Sequence, residues 1–490
     1  MNLQKNLFYI LPALQFLTLS SLAQMAKPNV VYILADDLGY GELGCYGQEK
    51  IKTPNIDQLA KEGMLFTKHY AGAPVCAPSR GVLLTGKQLS KAYIRNNHEH
   101  KPEGQEPIPH PSITMAQIFK SQGYATGAFG KWGLGYVGSA SDPKALGFDT
   151  FYGYNCQRLA HSYYPPHMWS NDKKVIINKK PVPGHFRKKV GPDFDFNQFY
   201  AKNYAPDLIL DKAVKFIRTN AKNPFFAYLP FVEPHLAMHP PKSWVDAYPK
   251  EWDEGNKAIK AAYLPHPRPR AGYAAMISDL DEHVGTIIKL LEELNIKENT
   301  LVIFASDNGP THCKDVDHEF FNSTANLRGL KGSVYEGGLR VPMIATWPGK
   351  IKASSTSDHV SGFVDVLATA CDLINVPTPK TSDGVSFLPE LLGKEQKPQN
   401  VLAWEFTGYG GQQAIILNGR WKGVRQQLNS KSNIKNSIIP KWELYDLEND
   451  PYEKTNLAKS MPEKVRRIHQ AMMNNRTDSK AFSMKNAAKL

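Results

Sequence analysis

Four apolar runs along the chain end abruptly in charged or hydrogen-bonding residues. PNVVYILADDLGYG runs through valine, isoleucine and leucine to Asp36 and Asp37. YATGAFGKWGLG stops at Lys131, PFFAYLPFVEPH at Glu233 and His235, and LVIFASDNG at Asp307 and Asn308. Short β-branched and apolar runs closed by polar residues and glycine predict buried strands. Between them PNIDQLAKEGM, SITMAQIFKSQG and GYAAMISDLDEHVGTIIKLLEELN repeat apolar residues at helical spacing and predict amphipathic helices. The alternation predicts an α/β fold: a large doubly wound, mostly parallel sheet flanked by helices. Ligands of such sheets bind outside the carboxyl ends of the strands, so the four polar endings should converge on one site.

Past residue 395 the pattern changes. AIILNGRWKGVRQQ and KWELYDLENDPYEKTNLA read as short strands joined by polar turns, followed by a basic helix near SMPEKVRRIHQAMMNN. The expected division is a leader over 1–24, a catalytic α/β domain over 25–395, and a smaller α+β subdomain with an antiparallel sheet and a helix over 396–490. YLPHPRPR, residues 263–270, reads as an extended surface loop.

With 42% hydrophobic and 21% charged residues, the 490-residue chain has a globular composition and is neither disordered nor fibrous. The first residues place Lys5 ahead of an apolar stretch that closes on Ser21 and Ala23, a spacing that predicts a cleaved signal and export to a periplasm or the exterior. That stretch is short for a bilayer span, and no stable membrane insertion is expected. The net charge is +13, and +12 without Lys5, which favours a polyanionic partner: nucleic acid, an anionic membrane surface or a sulfated glycan, with export counting against nucleic acid. Five cysteines, at 45, 76, 156, 313 and 371, are an odd number without metal-knuckle spacing, so disulfides cannot account for all of them.

Asp36, Asp37, Asp307 and Asn308 offer side-chain oxygens alone, the donor set of a hard divalent cation. Calcium suits irregular oxygen coordination better than magnesium, which holds its waters. Cys76 stands two residues before Pro78 where SRGVLLTGK reads as a helix, which carries Arg80 toward the same end. Backbone donors and a guanidinium there suit a tetrahedral anion.

Cys76, Pro78, Ser79, Arg80, Leu84, Thr85 and Gly86 spell C-x-P-S-R-x-x-x-L-T-G, which resembles the signature of the type I sulfatases of the alkaline-phosphatase-like superfamily. LADDLGYGELGCYG, GKW at 130–132, ASDNGP, KGSVYEGGLRVP and WELYDLENDPYEKTNL resemble further family motifs, in family order. The resemblance implies that a maturation enzyme oxidises Cys76 to formylglycine, whose hydrate attacks sulfur. It implies metal binding by Asp36, Asp37, Asp307, Asn308 and the modified Cys76, acidification of the nucleophile by Arg80 and Lys131, and sulfate contacts from Lys131, His235 and Lys331, with His235 as proton donor to the leaving alcohol. The expected activity is O-sulfate ester hydrolysis, on a sugar. A serine would be trapped as its sulfate ester; a second hydroxyl on the same carbon lets the sulfate leave and restores the aldehyde.

One position departs from the pattern. Many sulfatases read G-K-W-H-L-G, whereas Gly133 stands here in place of the histidine. His161 is expected to supply the lost sulfate contact and His167 less so, while Arg158, Asn97, His98 and His312 are expected around the sugar. The stretch GYNCQRLAHSYYPPHMW resembles that of bacterial sulfatases acting on glycans, including galactose-type sugars. Two alternatives remain at this point: a phosphate or phosphonate ester hydrolase of the same superfamily, and an inactive sulfoglycan-binding protein in which Gly133 marks decay.

Overall fold

The first apolar run forms β1 (Asn29–Ala35), at the centre of an eleven-stranded sheet in the computed structural model of the chain. The structure describes residues 27–186, 188–191, 193–254 and 262–490; the expected leader lies outside them. Around β1 run β2 (Met64–Tyr70), β3 (Ala125–Lys131), β4 (Thr150–Tyr154), β5 (Phe225–Pro230), β6 (Thr300–Ser306) and β7 (Arg340–Thr346). Their order across the sheet is β2, β7, β6, β1, β5, β3, β4, and a hairpin of His167–Ser170 and Lys173–Ile176 extends it beyond β4.

The five strands from β6 to β4 are parallel. At the margins β7 runs antiparallel to β6 and β2, as does the hairpin to β4. The sheet is therefore mostly parallel, as expected, with antiparallel borders that apolar runs alone do not reveal.

Strand periodicity divides the core in two. In β1, Val30, Tyr32 and Leu34 join one apolar cluster while Val31, Ile33 and Ala35 join the other. Side chains alternate across a strand, so a run apolar at every position needs cover on both faces. One face receives α1 (Pro54–Glu62) through Ile56 and Leu59. The other receives α2 (Cys76–Thr85) through Val82, Leu83 and Leu84, and α3 (Met115–Ser121), whose start is fixed by a capping box between Thr114 and Gln117. Further along, α4 (Ala205–Asn220) and α5 (Pro269–Glu293) cover the first face and α6 (Phe363–Leu373) the second.

The last two residues of YLPHPRPR open α5, and Leu264, Pro265 and His266 are buried, so the stretch is not the surface loop expected. Arg268 pins it, donating to the carbonyl oxygens of Val245, Tyr248 and Pro249. After residue 396 come four antiparallel strands, β8 (Val401–Phe406), β9 (Gln412–Leu417), β10 (Trp421–Arg425) and β11 (Glu443–Asp446), then α7 (Pro462–Asn474). One face of this small sheet packs Ala403, Ile415 and Leu444 on α7; the other sends Leu402, Trp404 and Ile416 into the core of the large sheet.

Candidate active site

Backbone pairing continues past the strands and sets the site. Ala35 in β1 faces Ser306 in β6, after which Asp307 N–H donates to Ala35 O and Asp36 N–H to Glu233 O, at 3.0 and 3.1 Å. Three parallel strands thus deliver Asp36, Glu233 and Asp307 to one edge. Asp37 has φ of 68°, a left-handed conformation that costs an aspartate energy and is retained chiefly where a site needs it. Lys131 ends β3 at the same edge, and Cys76 opens α2 with every residue of that helix buried.

The side chains interlock. Lys131 Nζ lies 2.5 Å from Asp36 Oδ2 and 3.5 Å from Cys76 Sγ; Lys331 Nζ lies 2.7 Å from Asp37 Oδ2 and 3.6 Å from the same sulfur. Arg80 donates twice to Asp307 Oδ2, at 3.0 and 2.8 Å, lies 3.5 Å from Asp36 Oδ2, and donates to Lys131 O. Asp307 Oδ1 accepts from Asp37 N–H at 3.2 Å, and Asn308 Nδ2 donates to Asp37 Oδ1 at 2.8 Å. His235 Nε2 stands 3.6 Å from Asp37 Oδ2, and its Nδ1 donates to Leu236 O at 2.6 Å, leaving Nε2 as the free nitrogen. All nine residues implied for metal, nucleophile and sulfate are together.

Three carboxylates face three cationic side chains here, and the fields act in known directions. Burial works against the charge of Asp36, yet Lys131, then Arg80 and Lys331, hold its carboxyl well below the usual range. Burial and Asp36 push Asp307 up to about 7 against the pull of Arg80. Burial, then the lysines Lys131 and Lys331, hold His235 neutral, well below its ordinary value. The Cys76 thiol is pushed up to about 12 by burial and Asp36 despite both lysines, so an unmodified thiol here is a poor nucleophile.

Asp36, Asp37, Cys76 and His235 each bring one donor atom within 4.8 Å of the others. Asp36 Oδ1 and Asn308 Oδ1 are buried without any hydrogen-bond partner. Orphaned buried oxygens are costly, and two of them in an oxygen-rich cluster fit a hard divalent cation. Asp307 is more heavily engaged than the sequence implied, since both its oxygens already accept protein donors.

Above Cys76 opens a cavity of about 390 Å³. His161, Arg158, Asn97 and His312 line it, but their bonding differs from one to the next. Arg158 is held by a bidentate pair with Glu99, both contacts at 2.6 Å. Asn97 Oδ1 accepts from Ala77 N–H and so tethers the first turn of α2. His98 stands away from the cavity: Glu106, eight residues on, takes its Nδ1 at 2.9 Å and leaves the ring exposed. His167 is likewise engaged by Glu103 and ties the hairpin down.

His161 lies parallel to His235, and its Nδ1 is 2.9 Å from His185 Nε2, while His185 Nδ1 donates to Ala262 O. That relay assigns the His161 proton to Nδ1 and leaves Nε2 as an acceptor. Burial, then Lys131 and Lys331, keep the ring neutral. The expected donor to sulfate is therefore presented as a lone pair, suited to a substrate hydroxyl. Sequence reasoning missed Tyr263, Tyr409, Gln105 and the role of Gln157 in this wall. Tyr263 stands first in the proline-rich stretch read as a surface loop, and neutral amides carry no signal of their own.

Comparison with known proteins places these observations in context. The profile of the Sulfatase family matches residues 28–376, and that described as N-sulphoglucosamine sulphohydrolase, C-terminal matches residues 330–480. The chain is 30% identical to an N-acetylgalactosamine-6-O-sulfatase of Bacteroides thetaiotaomicron, covering 91% of this chain and 92% of that one. It is 30% identical to the N-acetylgalactosamine-6-sulfatase of Rattus norvegicus, over 78% of this chain and 69% of the relative. The crystal structure of Ps i-CgsB in complex with k-i-k-neocarrahexaose superposes with a TM-score of 0.75 at 26% identity, covering 92% of this chain and 94% of that chain.

Proposed function

Since the chain belongs to the type I sulfatase family and is a sulfuric ester hydrolase, we propose that it cleaves an O-sulfate ester of a sulfated sugar with formylglycine made from Cys76 and a bound calcium ion. The observation that carries this reading is the convergence on Cys76 Sγ of Lys131 at 3.5 Å, Lys331 at 3.6 Å and Asp37 at 4.0 Å, on the floor of a cavity. N-acetylgalactosamine 6-sulfate is the first substrate class to try, on the names of the relatives.

In this reading Asp36, Asp37, Asp307 and Asn308 hold the cation, which supplies positive charge that acidifies the nucleophile and screens the ester. The hydrated aldehyde at residue 76 provides two oxygens on one carbon. Lys131 and Lys331 flank that carbon and hold the sulfate oxygens by charge-assisted hydrogen bonds. Arg80 keeps Asp307 and Asp36 in place from behind. His235 gives a proton to the leaving alcohol from Nε2, and an arriving anionic ester helps it gain that proton by neutralising the two lysines that depress its basicity. The net charge of the three carboxylates and three cations is zero, so a divalent cation leaves the site positive and ready for an anion.

Mass spectrometry of the Cys76 peptide, from a host that matures sulfatases, tests the modification. An aldehyde mass is expected; a thiol would favour a binding protein. Turnover of 4-nitrophenyl sulfate against 4-nitrophenyl phosphate tests the reaction, and a strong preference for phosphate would overturn it.

A further inference from the structure

Gly133 has φ of 76°, and a Cβ built on it would lie 3.0 Å from Gln157 Nε2 and 3.3 Å from Gln157 Cγ. The glutamine amide thus occupies the space that a side chain at 133 would need first. Gln157 is 6% exposed, lines the cavity above Cys76, and its Nε2 is buried with no hydrogen-bond partner. Gln105, 3% exposed, lines the same cavity with its Oε1 equally unpartnered.

The orientation of the Gln105 amide is settled by its neighbour. Cys156 Sγ donates to Gly104 O at 3.7 Å and accepts from Gln105 Nε2 at 3.9 Å, so the carbonyl oxygen is the end left over. A wall with one donor and one acceptor, both desolvated and both unsatisfied, is a binding surface awaiting a group that gives and takes hydrogen bonds. Sulfate at neutral pH has no proton to give, so the Gln105 acceptor must face the organic part of the substrate.

We propose that Gln105 and Gln157 read the sugar of the sulfated substrate, Gln105 Oε1 accepting from a hydroxyl or amide N–H and Gln157 Nε2 donating to an oxygen of the bound ester. The assignment rests on the sulfated-sugar reading above and extends it to substrate discrimination. It also explains Gly133: the left-handed glycine makes room for the amide donor, and His161, held as an acceptor, complements it.

The test compares wild type, Gln105→Leu and Gln157→Leu in turnover of N-acetylgalactosamine 6-sulfate and of 4-nitrophenyl sulfate, with calorimetric binding of the same sugar sulfate and thermal unfolding as a control on folding. Each variant is expected to lose at least tenfold in kcat/KM on the sugar sulfate, with a matching loss of binding. Gln105→Leu should lose less on the aryl sulfate than on the sugar sulfate, because the aryl ester offers no donor. A loss on both esters in Gln157→Leu places its partner on the sulfate, and a loss on the sugar alone places it on the ring. Equal kcat/KM for all three proteins on the sugar sulfate, in folded variants, overturns the proposal and leaves the sulfatase reading intact. Wild type that hydrolyses neither ester sinks that reading instead; the proposal then stands if Gln105→Leu still weakens sugar-sulfate binding tenfold, and falls if wild type does not bind or all three bind alike.

Discussion

The rings of His161 and His235 lie parallel, their centroids 5.1 Å apart and their planes 8° from one another. One ring comes from the segment after β4 and the other from the segment after β5, so the two strands that flank β3 bring a pair of neutral imidazoles to the cavity floor. His161→Ala should lower turnover of a sulfated sugar about tenfold to a hundredfold, the value of one buried hydrogen bond with its desolvated partner. His167→Ala, whose ring binds Glu103 outside the cavity, should change it by less than about threefold. Steady-state kinetics with a thermal-unfolding control decides the matter, and equal activity of His161→Ala and wild type would remove the role.

Chelation should abolish turnover and lower the unfolding temperature, because a cation held by Asp36, Asp37, Asp307 and Asn308 binds the native state alone. Calcium added back at about a hundred times its Kd should restore about 2.7 kcal/mol of stability. Magnesium should restore less. Restoration by zinc alone would contradict an all-oxygen site.

His69 is fully buried on β2, with Nδ1 2.8 Å from Ser361 Oγ and its ring against Phe66, Phe363 and Phe387. Burial, then His359, lowers its pKa to about 3. The unfolded chain therefore takes up a proton near pH 6.5 that the folded chain refuses, and wild type loses stability as pH falls from 6.5 toward 3. A His69→Phe variant escapes that loss. Its unfolding free energy relative to wild type should shift in its favour by about 2 to 3 kcal/mol between pH 7.5 and 4.5, as read by denaturant titration.

The C-terminal subdomain should not be separable. Leu402, Trp404, Phe406 and Ile416 share a core with Tyr70, Val82 and Phe363, and Glu405 accepts from Arg95 on one side and from Arg476 at 2.7 Å on the other. Residues 25–395 expressed alone should be insoluble or unfolded by circular dichroism. In the full chain, Glu405→Ala takes the carboxylate partner from the buried Arg95 guanidinium and should cost about 3 to 5 kcal/mol.

The chain announced its site where apolar runs stop. Asp36, Lys131, His235 and Asp307 could be placed from sequence because a buried strand has only one way to end at the surface of a parallel sheet, and the chemistry sits at that end. What escaped were contributions from loops and hairpins. Gln105 reaches the cavity from a two-residue strand whose partner is Glu99–His100, a pairing too short to leave a periodic signal. His98 shares a type and a neighbourhood with true wall residues, but a nearby glutamate captures it, and such captures depend on the turn between them. The direction of β7 was hidden for a similar reason: a strand buried on both faces reads alike in either orientation.

Every residue of α2 is buried, and Cys76 is 1% exposed. The helix packs against α6 and forms part of the core beneath the site. In the closed fold that sulfur can be approached only through the cavity above it, so an enzyme that must grip the peptide around Cys76 has to meet a chain that has not yet closed. Folding then sets a deadline. On the formylglycine reading, a chain that closes first carries a thiol for as long as its native state persists, and the active fraction is fixed by a race between two rates during synthesis.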